Sequence, residues 1–325
     1  MPTSRRALLA LPMLAAARRA AAAAFPERSL RMVVPYAPGG NTDVVARILA
    51  LPLSEILGQP VVVENRPGAG GSVASLQMAR SRADGYSIMI GSNGPMTVNP
   101  SIQPNLGYDP LRDFAPIGLV CRTPLTIVVK PGLPVRDLRE FIAYAEENRG
   151  QVTVGSSGVG SSGHLAIASF AALTGLTLQH VPYPSGSQIV TDLLAGNMDS
   201  AITEISTALP LHRGRQIRIL AVATAARSVL APDIPTAEEA GVAGFREAAF
   251  LGVVLPANPP AEVQATLAAA LAAALARPDT RRRLNETGSE VAVEQERTPA
   301  GFADFLETEL RRTQAAAVRA GLRPA

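Results

Sequence analysis

Leu30-Arg31-Met32-Val33-Val34 runs into Pro35-Tyr36-Ala37-Pro38-Gly39-Gly40-Asn41-Thr42-Asp43, and an amphipathic stretch to Leu57 follows. The first five residues are rich in strand formers and stop at Pro35, which reads as a short β-strand. Two prolines and two glycines make the loop, and Thr42 and Asp43 suit the first turn of a helix over 43–57. Strand, Gly-rich loop and helix form one βα unit. Repetition of that unit predicts parallel α/β layers.

The unit repeats. Val61 to Glu64 reads as a second strand, Pro67 to Gly71 as a Gly-rich turn, Ser72 to Ser81 as a helix and Ser87 to Gly91 as a third strand. Ile117 to Val129 looks like an extended passage broken at Thr123-Pro124. The rhythm then restarts with strands at 152–155, 178–181 and 200–203 and helices at 135–148, 162–174 and 187–195. Ile217 to Thr224 and Leu251 to Leu255 are strand-like, and three helical stretches near 260–276, 278–287 and 299–319 close the chain. At 325 residues, the chain exceeds the size at which single cores tend to split, about 250–300 residues. Two lobes are therefore expected, with passages near Cys121 and Ala223 crossing between them. The expected division is 25–121 with 225–325 for one lobe and 122–224 for the other.

Four of the strand-to-helix loops are dense in Gly, Ser and Thr. They are Pro38 to Asp43, Gly68 to Ser72, Gly155 to His164 and Tyr183-Pro184-Ser185-Gly186-Ser187. In open α/β sheets such loops gather at the carboxyl ends of the strands, where ligands bind. A Gly-rich helix start offers unpaired N–H groups and the positive end of the helix dipole, which suits an anion. Ordinary capping is the competing account of Thr42, Ser72 and Ser162. Asp43 reads equally as a first-turn carboxylate favoured by the dipole or as an acceptor for the loop or for a bound donor.

Enzyme signatures are sparse. Gly158-Val159-Gly160-Ser161-Ser162-Gly163 fits a dinucleotide fingerprint, but the next strand ends His180-Val181-Pro182-Tyr183 without the acid that would hold the ribose. The only lysine, Lys130, precedes proline, so no phosphate-binding loop exists. His164, His180 and His212 lack metal-ligand spacing. Neither cofactor nor metal is expected, and a two-lobed hydrolase or isomerase using Ser, His164 and Asp43 is the runner-up. Cys121, the single cysteine, excludes a disulfide framework and reads as a small buried hydrophobe.

The chain is 47% hydrophobic and 18% charged, with a formal charge of +3. Residues 1–24 carry Arg5, Arg6, Arg18 and Arg19 and no acid, so the rest of the chain stands at −1. That argues against nucleic acid as a partner, which needs a standing positive surface. Arg5-Arg6, the apolar run Ala7 to Ala17 and Ala22-Ala23-Ala24 have the layout of an export signal. A periplasmic protein is the expectation, by the general or the twin-arginine route.

Together these segments resemble the Bug family, the extracytoplasmic receptors of tripartite tricarboxylate transporters. The resemblance rests on Val34 to Asp43 with Ala46-Arg47, Val63 to Gly71, Asp84-Gly85-Tyr86, Gly155 to Leu165, Val181-Pro182-Tyr183, Asp192 to Gly196, Leu220 to Thr224 and Pro235 to Gly241, in that order. It implies a type II periplasmic-binding-protein-like fold of two α/β lobes with a ligand cleft and two crossing strands. It implies a receptor rather than an enzyme, a monomer that passes a small carboxylate to membrane transporter subunits. A sensor feeding a signalling partner would use the same pocket. Carried over from the family, the carboxylate grip falls on Tyr36, Pro38, Gly39, Gly40, Thr42 and Asp43, with Ser156, Ser157, Ser161, Ser162 and His164. Tyr183, Ser185 and Gly186 add the second lobe's tyrosine loop. The far end of the ligand meets Ser92, Asn93, Glu204 and Phe250. Two departures fall there: Phe250-Leu251-Gly252 stands where the family often carries Trp, and Glu204 disfavours a second carboxylate on the ligand.

Overall fold

The computed structural model describes residues 25–322. The export signal expected at 1–24 lies outside the described residues. Strands β1 (Leu30–Val34), β2 (Val61–Asn65), β3 (Ser87–Ser92) and β4 (Phe114–Val129) come first, followed by β5 (Thr153–Ser156), β6 (Gln179–Pro182) and β7 (Ser200–Glu204). β8 (Arg218–Val222), β9 (Ala248–Pro256) and β10 (Glu290–Val291) complete the set. The helices are α1 (Asn41–Leu57), α2 (Ser72–Ala79), α3 (Asn99–Ile102), α4 (Leu138–Glu147), α5 (Ser162–Thr174), α6 (Gly186–Leu194), α7 (Ile205–Arg213), α8 (Ala261–Ala276), α9 (Pro278–Glu286) and α10 (Pro299–Arg319).

The strands join in the order β2-β1-β3-β9-β4-β7-β5-β6, with β8 and β10 also paired to β4. β1 pairs β2 and β3 in parallel, and β5 pairs β6 and β7 in parallel. Each set is one lobe's βα block. Both faces of each block are covered. In β1, Met32 and Val34 face one core and Val33 the other, as the two-residue alternation of a strand requires. In β4, Leu125, Ile127 and Val129 enter one core of the second lobe while Val128 enters its opposite core. Burial on two faces explains why these strands read as nearly continuous apolar runs.

β4 is one unbroken strand of 16 residues. Thr123-Pro124 does not interrupt it, contrary to the sequence reading. Phe114 to Pro124 pair with β9, and from Leu125 onward the partners are β7 and β8. Pro124 marks the point where the partner changes, and the strand continues from one lobe into the other. The return crossing lies beside it, at Glu247-Ala248. Leu125 N–H donates to the Glu247 carbonyl (3.1 Å), Glu247 N–H to Ala223 (2.9 Å) and Ala223 N–H to Leu125 (2.8 Å).

That return comes later than residue 224. Ala231, Ile234, Ala237, Val242 and Phe245 are buried in the second lobe's cores, so 225–247 packs with that lobe. The sequence reading assigned this segment to the first lobe, because strand Arg218–Val222 looked like the crossing. Helix α7 at Ile205–Arg213, with Pro210 inside it, is not among the helices read from the sequence. Cys121 is fully buried in the first lobe, and burial pushes its thiol up to about 12, so it behaves as a small apolar side chain.

Helix α10 ties the lobes together. Its Phe302 and Leu306 enter a first-lobe core, whereas Ala316 and Ala317 pack with Val98 and with Leu165 of α5 in the second lobe.

Candidate functional site

Strand-to-helix loops of both lobes face one another, and between them lies a cavity of about 450 Å³ of non-atom space, open solvent at its mouth included. From the first lobe it is lined by Tyr36, Gly40, Asn41, Thr42, Ser92, Asn93, Gly94, Ala249 and Leu251, and from the second by Ser157, Ser162, Ser185, Gly186 and Glu204. The N-termini of α1, α5 and α6 thus meet at one space. The βα topology causes this, since every parallel strand delivers its following loop to the same edge. The first turns of three helices supply N–H groups without intrahelical partners, and Thr42, Ser157, Ser162 and Ser185 add hydroxyls. Among the described residues, Glu204 is the only carboxylate on the wall, and no lysine, arginine or histidine lines it.

Nine of the residues expected from the sequence lie on this wall: Tyr36, Gly40, Thr42, Ser92, Asn93, Ser157, Ser162, Ser185 and Gly186, with Glu204 as a tenth. The others serve behind it. Asp43 accepts from Gly39 N–H (3.0 Å), from Arg47 Nε (3.0 Å) and from Asn65 Nδ2 (2.9 Å), and the same Asn65 group donates to the Tyr36 carbonyl (3.1 Å). Burial alone would raise the Asp43 pKa, but the Arg47 guanidinium and the Gly39 and Asn65 donors outweigh it and hold the carboxyl below its ordinary value. Asp43 therefore braces the 36–43 loop against the end of β2, and Pro38 and Gly39 sit on the exposed shoulder of that loop.

In the second lobe, Ser161 caps α5 by accepting from His164 N–H (3.2 Å), and Tyr183 donates its hydroxyl to Asp192 (2.8 Å). Ser156 is buried and bonded to His180 Nε2 at 2.6 Å. His164 Nδ1 accepts from Gly160 N–H (3.2 Å), and the two histidine rings stack at 4.4 Å. This pair supports the Gly/Ser loop from beneath. Burial lowers the pKa of both rings, and the neighbouring His164 lowers His180 further, to about 4.

The folded protein thus keeps both rings neutral, whereas the unfolded chain takes up their protons near pH 6.5. Between about pH 6.5 and 4 the unfolded chain binds more protons, so stability falls as the pH drops through that window. Both rings are partly accessible, and solvent screening reduces the expected loss to about 1–2 kcal/mol. Urea unfolding at pH 7.0, 5.5 and 4.5 checks this against His180→Asn, whose stability is expected to vary less with pH than that of the parent. Equal slopes for the two proteins would contradict it.

Phe250 turns away from the cavity. It packs edge-on against Phe305 (5.1 Å between centroids) in a first-lobe core, and its neighbours Ala249 and Leu251 line the wall instead. Alternation along a strand fixes that only one of the two faces is available, but which face turns inward is a tertiary outcome. Asn41 and Gly94 were also missed. Asn41 lies inside the quoted loop, flanked by Gly40 and Thr42, and a first-turn amide there was the available signal. Its Nδ2 donates to Thr123 Oγ1 (3.2 Å), and its Oδ1 has no hydrogen-bond partner among the described residues. Asn93 fixes the wall to the crossing strand, donating to the Ala248 carbonyl (3.2 Å) and accepting from Phe250 N–H (2.7 Å).

Two groups on the wall are electrostatically unusual. The Tyr36 hydroxyl is pushed up to about 12 by burial and by the nearby Glu204, against the opposing effect of its contact with Ser92. Burial also raises the Glu204 pKa. The Glu204 carboxylate accepts from Thr203 Oγ1 (3.2 Å) but does not cap its own helix, α7.

The lobes are in contact around the cavity. The Val159 carbonyl lies against Gly70, and Gly160 lies against the Asn99 side chain. Asn99 is itself anchored, donating to the Gly70 carbonyl (3.0 Å) and Ser72 Oγ (2.7 Å).

Comparison with known proteins agrees with this architecture. The structure of the periplasmic binding protein BugD superposes with a TM-score of 0.89 at 32% identity, covering 93% of this chain and 100% of that one. An R. palustris protein solved with adipate gives 0.88 at 34% identity, over 93% of this chain and 100% of its own. MatC from Rhodopseudomonas palustris with bound malate gives 0.86 at 32%, over 90% and 99%. The fold is therefore the expected type II periplasmic-binding-protein-like one. The model of the tripartite tricarboxylate transporter family receptors matches residues 45–319, and the chain belongs to that family, whose members include the Bug proteins.

Proposed function

We propose that this chain is an exported periplasmic receptor that captures a small carboxylate in the interlobe cavity and delivers it, as a monomer, to a cognate tripartite-type membrane transporter. The observation that carries this reading is the meeting of three helix N-termini, from both lobes, on one cavity that, among the described residues, is lined by hydroxyls and by no cationic side chain. Preorganised N–H and O–H donors in a closed cleft hold a carboxylate well, because water no longer competes for it. Related proteins solved with adipate and with malate support a carboxylate as the ligand class. The reading as a receptor and not an enzyme draws support from the engagement of the would-be catalytic residues. Asp43 is held by Gly39, Arg47 and Asn65 in one lobe, and His164 by Gly160 in the other.

A melting-shift screen over mono-, di- and tricarboxylates, aromatic acids and amino acids tests it. A cognate ligand at ~100 times its Kd adds about 2.7 kcal/mol of stability, and mass spectrometry should recover it unchanged. Chemical conversion of the ligand, or no shift with any acid, would contradict the proposal.

A further inference from the structure

Most of the cavity is built for one negative charge, yet its wall holds a second acid. Glu204 ends β7 beside the crossing strand, where Leu125 pairs with it, and it lines the cavity near enough to Tyr36 to raise that hydroxyl's pKa. Among the described residues it forms no ion pair, and Thr203 Oγ1 is the side chain that donates to it. Buried carboxylates are ordinarily paired with a cation, because an isolated one loses its hydration without return. Among the described residues, none supplies a cation on the cavity wall. The Asn41 amide oxygen, also on a lining residue, is a further acceptor without a donor.

Resting on the receptor reading above, we infer that Glu204 makes the cleft selective for a small zwitterion, a carboxylate that also carries an ammonium group, over a dicarboxylate of the same skeleton. The helix N-termini take the ligand's carboxylate, and its ammonium group supplies the missing partner of Glu204. A second ligand carboxylate would instead place like charges together in a site poor in water, where their repulsion is least screened. The upward displacement of the Glu204 pKa by burial agrees with an acid that lacks its counter-charge until a ligand arrives. Tyr36, the other titratable group on the wall among the described residues, remains a neutral hydroxyl at physiological pH and cannot serve as that counter-charge.

Isothermal titration with two matched sets tests the inference. The four-carbon set is butyrate, succinate, 2-aminobutyrate and 4-aminobutyrate, and the six-carbon set is hexanoate, adipate, 2-aminohexanoate and 6-aminohexanoate. The same comparison is made on the skeleton of any acid that the broader screen returns. In the parent protein an ammonium-bearing member should bind at least tenfold tighter than its dicarboxylate counterpart, which is about 1.4 kcal/mol. In Glu204→Gln, nearly isosteric, that gap should close to within about threefold. A dicarboxylate that binds the parent as tightly as the amino acids, or a gap that survives Glu204→Gln, overturns the inference while leaving the receptor reading standing. Binding of no acid at all overturns the receptor reading, and this inference with it. The parent's selectivity is decisive by itself should the variant fold poorly.

Discussion

Gly160→Ala is expected to weaken ligand binding more than 100-fold while the protein remains folded. Gly160 has φ +80°, in the left-handed region that a Cβ disfavours by roughly 1 kcal/mol. The larger effect lies across the cleft. A Cβ at this position would overlap Asn99 Oδ1 of the opposite lobe. Asn99 cannot retreat without giving up its bonds to the Ala69 and Gly70 carbonyls and to Ser72 Oγ. The variant must therefore hold the lobes apart, and helix starts contributed by both lobes then fail to enclose one anion. Gly70→Ala should act in the same way, because its Cβ would meet the Val159 carbonyl. Gly175→Ala provides the control. Its φ of +72° imposes similar backbone strain, but nothing lies within 4 Å of the new methyl group. Titration of the three variants with the acid found by screening separates strain from lobe contact. If Gly160→Ala binds like the parent, the contact between Gly160 and Asn99 has no part in closing the cleft. A loss of affinity in Gly175→Ala equal to that in Gly160→Ala would attribute the effect to strain alone.

The largest expected loss of stability is at Phe302, whose replacement by Ala should cost about 3–5 kcal/mol. The ring is fully buried and lies against the backbone of Gly252 in β9, the strand that continues from the return crossing. It stacks toward Phe305, which in turn meets Phe250 edge-on. Truncation leaves a cavity bounded by strand backbone on one side, and backbone in the middle of a sheet has little freedom to collapse into it. The damage should not stay local, because α10 docks on the first lobe through Phe302 and reaches the second through Ala316 and Ala317. Urea unfolding checks the magnitude. Phe305→Ala, at a partly buried position, should cost clearly less than Phe302→Ala. A cost below about 1 kcal/mol at Phe302 would mean that α10 is not anchored by this ring.

The sequence by itself determined the βα rhythm, the class of fold and most of the residues around the cavity. These properties are local. A strand former run that stops at Pro35, a Gly-rich loop and a good first turn at Thr42-Asp43 specify a βα unit without reference to the remainder of the chain. Parallel order then brings every such loop to one edge, so Gly40, Ser162 and Gly186 could be expected together before their positions were known.

Tertiary structure alone decided what those loops do beyond facing the cavity. Asp43, Ser161, His164 and Tyr183 carry groups suited to a ligand, but each has a nearer partner within its own lobe. Whether a polar side chain meets a ligand or a neighbour depends on distances that local pattern does not encode. The same holds for Phe250, whose turn away from the cleft follows from the packing of α10, and for 225–247, whose apolar residues find their burial in the second lobe. The contacts of Gly70 with Val159 and of Gly160 with Asn99 exist only where two lobes meet, so no single stretch of the chain could announce them.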